Sequence, residues 1–541
     1  MSTAVAAGRP VLAAAMIALA LQTLAVPIPA TAQDHDHPAG EEAVGTVHFP
    51  TSCNAAAQER LDRAVAMLHS FWFETAEAAF ADAARADPRC AMAHWGTAMT
   101  LWGNPMARGA PSPERTQNAL EAIARAEALF ADLTPRERRY VEAAAVLYRD
   151  HETLGHLERM RRHEEALAAI VEAHPDDTEA AVFHGRMMVA NAAPDDLTFA
   201  RQRQAAEILL PLFEAQPDHP GLAHYIIHAF DAPPIADMGL EAARAYARIA
   251  PAAPHALHMP SHIFTRLGYW DESIETNRRS AEAEPVPDAA VHPMDYMVYA
   301  YLQQGRDAAA GEVVDRAARM PTDRFYGAVL GYNAVAMRAR YALERGDWAA
   351  AAALDVPDGA VAYVEAIARF ARALGSAHAD RPAEARAETE RMAVLEAELR
   401  RAGEPDWATR VGAQRLAAEA WIARAEGDVP RALALGKQAA ELEETVEKHP
   451  VTPGPLLPAR ELYGDLLLEL GSAGDARSAY EATLRREPRR ARALHGAGRA
   501  AALEGDEAAA ARYARELLDL MSQADTERPE LAWARSVIRA P

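Results

Sequence analysis

Along most of the chain, apolar positions recur on one helical face, and each run closes on a glycine-marked turn or a proline stop. That pattern predicts amphipathic helices rather than strands. One layout returns again and again: a helix, a turn marked by glycine or an aromatic residue, a second helix with alanine and aromatic knobs, then Asp-Pro or a similar stop. Ala76, Phe80, Ala83 and Pro88 form one such second helix with its closing proline, and Ala93-His94-Trp95-Gly96-Thr97-Ala98 opens the next unit. Gly474-Asp475-Ala476 with Ala479, Tyr480 and Pro488 forms another, and Gly505-Asp506 with Ala511 and Tyr513 one more. Weaker turn marks stand at Gly346-Asp347-Trp348 and Gly427-Asp428, and Thr134-Pro135-Arg136-Glu137 reads as a capped helix start.

A helix pair with a period of about 34 residues is the tetratricopeptide layout. The fold expected is therefore all-α: a right-handed α-solenoid of antiparallel helix pairs, each needing its neighbours to bury its apolar face. Asn191–Leu197 and His449–Pro455 interrupt the period. The second, rich in proline, reads as a separator ahead of the last repeats. The organisation expected is a signal peptide at 1–32, a disordered lead-in at 33–50, an N-terminal array at 51–325 and a C-terminal array at 326–541.

Composition narrows the classes. Half of the 541 residues are hydrophobic, alanine dominates and β-branched runs are rare, which favours helix. Lys+Arg 56 against Asp+Glu 78 gives a net charge of −22 with no basic stripe, which disfavours nucleic acid as a partner. Residues 1–32 hold a single charge, Arg9, then an apolar stretch from Val11 to Val26, then Ala30-Thr31-Ala32. This is the pattern of a secretory signal peptide. Gln22, Pro27 and Pro29 leave that stretch short for a span, and no later segment suits one. A periplasmic or secreted protein without a stable membrane span is expected. Cys53 and Cys90 are the two cysteines, and an oxidising compartment allows a disulfide between them, with two buried thiols as the alternative.

The candidate chemistry lies between His174 and Gln304. Pro251 and Pro285 stand one period apart. Counted from Pro254, His255, His258 and His262 take the second, fifth and ninth places of a first helix. Counted from Pro220, His224 and His228 take the fifth and ninth, and counted from Asp176, His184 takes the ninth. These places share one helical face, which in this architecture lines the concave side. The histidines are expected to form one patch, with Asp231 at its edge and with His292 and Asp295 extending it. Pro260 interrupts the proposed helix and would free a carbonyl near the patch.

His224-x-x-x-His228 and His258-x-x-x-His262 have the spacing that chelates a transition metal, and imidazole suits zinc, copper or nickel. Asp231, Asp237 or Asp295 can serve as ligand or as acceptor behind a ligand. Tyr225 stands where a metalloprotease would carry its glutamate, so a metal-dependent hydrolase lacks a named base. Two metal-free readings stay open: histidines that bond one another and nearby carbonyls, or a groove for a peptide or protein lined by Tyr225, His292, Asp295, Tyr296 and Tyr299. Gln33-Asp34-His35, freed by signal cleavage, can wrap Cu(II) or Ni(II). His69 and His94, beside aromatic residues, read as packed, and His449 as a loop residue. No phosphate loop, nucleophile elbow or Cys-x-x-Cys is present, so no catalytic residue is nominated.

The stretches Leu68-His69-Ser70-Phe71, Cys90-Ala91-Met92-Ala93-His94-Trp95-Gly96, His224-Tyr225-Ile226-Ile227-His228 and His255-Ala256-Leu257-His258-Met259-Pro260-Ser261-His262-Ile263-Phe264 together resemble a group of exported bacterial tetratricopeptide-repeat proteins. The resemblance extends to Pro458-Ala459-Arg460-Glu461-Leu462 and Leu466-Leu467-Leu468, and so over nearly the whole mature chain. It implies the fold and export and no particular reaction. The first expectation is thus an exported scaffold that binds a peptide or protein partner in its concave groove. The alternative is a protein that binds zinc, copper or nickel at the histidine patch.

Overall fold

The computed structural model describes residues 43–284, 287–320 and 329–539. Among these, every regular element is helical, and successive helices pack as antiparallel pairs. The elements are set locally by their sequences. Asn54 caps Ala55–His69 by accepting from the Ala57 N–H, and Thr134 and Glu137 close a reciprocal capping box ahead of Pro135–Val146. Small residues let paired helices approach closely. A Cβ on Gly96 would sit 2.1 Å from the Phe80 ring, and one on Gly496 2.3 Å from the Tyr480 ring. The same aromatic-into-glycine contact therefore recurs in both halves of the chain.

The apolar interior divides into three clusters. One runs from Val44 to Phe264 and one from Tyr332 to Leu466. The third joins Trp270–Leu302 to Leu467–Ala534. Through it the last repeats turn back and pack on the middle of the array. Trp270 Nε1 donates to the Arg489 carbonyl (3.2 Å), Arg528 pairs with Asp307 (2.9 Å), and Arg490 pairs with Glu461 (2.7 Å) and Glu344 (2.8 Å). All described residues belong to one compact unit.

One expectation is corrected and one is refined. The lead-in is ordered from residue 43: Val44, Val47 and Phe49 are buried, and the Thr46 N–H donates to the Asp218 carbonyl. The polar run before it masked a short Val-x-x-Val-x-Phe pattern. The segment at 449–455 does interrupt the repeats, lying in the helix-free stretch between Glu443 and Ala459, but it is packed inside the array rather than exposed, with Val451 and Thr452 buried. The expected boundary at 325/326, the signal peptide and Gln33-Asp34-His35 lie outside the described residues. No described helix is long and apolar enough to cross a membrane. Cys53 and Cys90 are joined by a disulfide.

Candidate functional site

Three first helices carry the histidines. Pro220–Phe230 presents His224 and His228 one turn apart. Pro254–His258 and Pro260–Leu267, a single helix interrupted at Met259, present His255, His258 and His262. Val291–Gln303 adds His292. The Leu257 carbonyl in the interrupted turn accepts from the Thr276 hydroxyl, and the Pro254 carbonyl from Ser280 Oγ (2.9 Å). The neighbouring helix Trp270–Ala283 thus takes up the Leu257 carbonyl beside the break and the Pro254 carbonyl one turn before it.

The six rings form one continuous cluster. Ring centroids lie 4.8 Å apart for His224 and His228, 4.9 Å for His224 and His255, 4.9 Å for His258 and His262, and 4.4 Å for His258 and His292. Two triads have nitrogens that can meet on a single ion: His258, His262 and His292, and His224, His228 and His255. Within each triad the available atoms all lie within 4.8 Å of one another.

The placement of protons distinguishes this cluster from ordinary packing. His262 Nδ1 faces Asp231 Oδ2 at 2.8 Å, and a carboxylate only accepts, so the proton of this neutral ring sits on Nδ1. His258 Nδ1 faces Asn277 Oδ1 at 2.6 Å. The Asn277 amide is oriented by its own NH2, which donates to the Ser273 carbonyl at 2.7 Å, so its oxygen must face the histidine. The His258 proton is therefore also on Nδ1. Yet the two Nε2 atoms face each other at 3.0 Å. Two lone pairs therefore face each other. His292 Nδ1, buried and without a partner, completes the triad.

The second triad is less constrained. His224 Nδ1 donates to the His69 carbonyl at 2.6 Å, which leaves its Nε2 as an acceptor, 3.1 Å from His255 Nε2. His228 Nε2 is buried and unpartnered. Burial is the main cause that holds all six rings below the ordinary histidine range, His292 down to about 3. A neighbouring imidazole is the next cause for each ring except His262, where Asp231 opposes. The cluster is neutral at physiological pH and offers lone pairs rather than charge. Burial alone would raise the Asp231 carboxyl, but Lys448, Arg266 and His262 outweigh it and hold it well below the usual range. Asp231 is bonded to all three, with Lys448 Nζ at 2.9 Å and Arg266 Nε at 3.0 Å. With these three partners it is not free to act as a ligand itself.

Other predicted residues fall elsewhere. His184 lies outside the cluster, influenced by Glu164 and Arg201 from the second helices on either side. Its helix starts at Thr178, capped by Asp177, two residues later than the count assumed. That shift turns the face by about 200° and gives the ninth place to Arg186. Asp295 is buried against Asn333 and Arg340 of the following helix Val329–Glu344, and Tyr299 against Glu487 and Arg490 of the returning repeats. Tyr225 bonds His69, and the Tyr296 hydroxyl reaches His262 and the carbonyls of Pro450 and Thr452. All three tyrosines are fully buried, so this stretch of the concave face is filled rather than open. Asp237 is exposed, and His449 stacks on Trp407.

Residues 447–452 roof the cluster from the far end of the chain. Besides the Lys448 contact, Glu447 pairs with Arg266 (2.8 Å), and the Val451 carbonyl accepts from Asn333 (2.8 Å). Beside this segment a cavity of about 70 Å³ opens among Tyr332, Arg410, Glu443, Thr452 and Glu487. The sequence also gave no sign of a second buried group, in which His69 Nε2 and His219 Nε2 meet opposite oxygens of Glu179 at 2.9 and 2.8 Å.

No family model matches the chain, and no curated protein matches it. Among solved structures it is similar to human IFIT1, determined as a dimer with PPP-AAAA. That match has a TM-score of 0.37 and 13% identity, and covers 86% of this chain and 91% of that one. It is also similar to the APC/C hetero-tetramer Cut9-Hcn1, with a TM-score of 0.31, 12% identity and coverage of 89% and 90%. At such scores neither likeness carries an argument about the site.

Proposed function

We propose that this chain is an exported helical-repeat protein that binds a transition metal in its histidine cluster. The observation that carries the reading is the 3.0 Å approach of His258 Nε2 and His262 Nε2, with both protons committed elsewhere, to Asn277 and Asp231. Burial of two facing lone pairs is unfavourable, and a cation between them removes the conflict. Three neutral imidazoles suit zinc or copper, and nickel next. Asp231 and Asn277 fix ring orientation and tautomer, the role that groups behind metal ligands play. The His224, His228 and His255 triad is a second position one ring away. The disulfide between Cys53 and Cys90 supports an oxidising compartment. Docking of a peptide in the concave face finds less support, because Tyr225, Tyr296 and Tyr299 are covered. A hydrolytic reading lacks a base, since Asp231 is held by three cations or donors.

Elemental analysis of untagged protein from its native compartment tests the reading, followed by titration of the stripped protein with Co(II). Bound zinc, copper or nickel and a visible band of four- or five-coordinate cobalt are expected, and both vanish in a His258→Ala/His292→Ala/His224→Ala/His228→Ala variant that still folds, while His258→Ala/His292→Ala alone removes the share of the first triad. A protein that folds without metal and gives only the spectrum of hexaaqua cobalt would overturn it.

A further inference from the structure

The two histidine triads share a property that bears on the ion they would hold. All six of their side chains are imidazoles, and neither triad includes a carboxylate or a thiolate. The rings of His224, His258 and His262 are buried, and so are the unpartnered atoms His228 Nε2 and His292 Nδ1. Among the described residues, Asp231 is the one carboxylate paired with a ring of either triad, at His262. Its charge is already offset, by Arg266 Nε at 3.0 Å and Lys448 Nζ at 2.9 Å, while Glu447 meets Arg266 at 2.8 Å. Two negative charges there face two positive ones, so this group leaves no negative charge to balance a bound ion.

The triads also adjoin. Ring centroids lie 5.9 Å apart for His228 and His262 and 6.0 Å for His255 and His258, and in each pair one ring comes from each triad. Ions in both positions would be close neighbours. The self-energy of a buried ion grows with the square of its charge, and so does the repulsion between two equal ions. Passing from two dications to two monocations lowers both by about fourfold. Coordination number points the same way. Zinc completes a set of four ligands, or of three with a water, and copper(II) prefers a tetragonal set. Each triad offers three nitrogens, all within 4.8 Å of one another. Copper(I), a filled-shell monocation, is satisfied by three neutral nitrogen donors.

We propose that the cluster holds two copper ions in the monovalent state, one at His258, His262 and His292 and one at His224, His228 and His255. This rests on the metal reading above and narrows it to a valence and a count. Asn277 and Asp231 hold the protons of His258 and His262 on Nδ1, so the two Nε2 lone pairs stay directed inward before an ion arrives. A site fixed in this way resists rearrangement to the tetragonal set that copper(II) takes.

The experiment is an anaerobic titration of the stripped full chain with Cu(I) in competition with bicinchoninate, beside titrations with Cu(II) and Zn(II). The expected result is two Cu(I) per chain, each bound at least tenfold more tightly than Cu(II). His224→Ala/His228→Ala and His258→Ala/His292→Ala should each lower the count from two to one. If neither variant folds, X-ray absorption of the copper-loaded unmutated chain is expected to show three nitrogen neighbours per copper and no sulfur. Cu(I) bound at fewer than two per chain, Cu(II) bound as tightly as Cu(I), or four or more neighbours around copper would overturn the proposal while the metal reading stands. A folded chain that takes up none of the three ions would overturn both.

Discussion

Two buried groups of histidines stand within a few ångströms of one another in this fold, and each has the spacing to hold an ion. In the first, Glu179 receives one N–H from His69 and one from His219, the Tyr225 hydroxyl meets His69 Nδ1 at 2.9 Å, and the Leu222 N–H donates to His219 Nδ1. Every donor there has an acceptor. In the second, Asn277 and Asp231 fix two protons on the outer side of their rings and leave His258 and His262 with facing lone pairs. Distance alone does not separate the two groups. The difference appears when the hydrogens are counted: one network is complete as protein, and the other leaves two lone pairs facing each other, the feature on which the proposed metal site rests.

The comparison can be broken most severely at Glu179. Glu179→Ala removes a charge that two buried N–H groups require, and is expected to cost about 3–5 kcal/mol of stability. Chemical denaturation should show the same loss in chelator and in saturating zinc. A loss confined to the zinc-loaded protein would make the first group the metal site instead.

Acid acts on the first group next. Burial lowers His69 from 6.5 to about 4, with Glu179 opposing, and Glu179 itself ends below the ordinary range because His219 and His69 outweigh burial. The unfolded chain therefore binds more protons than the folded one between these values, and stability rises with pH there. For metal-free protein, Tm is expected to be flat above pH 7 and to fall from about pH 6.5 toward 4. The slope contributed by His69 is about 1.4 kcal/mol per pH unit. A Tm that holds steady down to pH 4 would mean that His69 is not buried as a neutral ring.

Metal acts on the second group. Zinc at a hundredfold excess over Kd is expected to stabilise the protein by about 2.7 kcal/mol. Calorimetry of His258→Ala/His292→Ala should show no such gain, while Glu179→Ala keeps it. The finest test is Asn277→Leu, which frees the His258 proton to move to Nε2 and bond His262. Metal affinity is expected to fall about tenfold or more, with the metal-free protein no less stable. Equal affinity in this variant would remove the proton argument.

Much of this was legible in the sequence. The repeat period placed His224, His228, His255, His258 and His262 on one surface, because helical register depends only on where a helix starts. It failed at His184 for the same reason: Asp176-Asp177-Thr178 offers more than one capping residue, and the start two residues later brought in Arg186. Asn277 could not have been singled out, since its role depends on the Ser273 carbonyl turning its amide. Neither could Lys448, which lies 217 residues from Asp231 in sequence. Nor does the register show that the last repeats return, because that contact arises from accumulated superhelical twist.

That return also sets an order of events. The cluster's floor is finished once residue 303 has been made, but its roof comes from residues 447–452, which bond back to Tyr296 and Arg266 and, through Glu447, to Arg486. A chain emerging from its N-terminal end would fold the floor first. For the time taken to deliver the remaining repeats, the histidines face solvent. Afterwards they are shut in. On the proposed metal reading, capture would then be an act of biogenesis rather than of equilibrium, decided by which metal is present while the last repeats are still arriving.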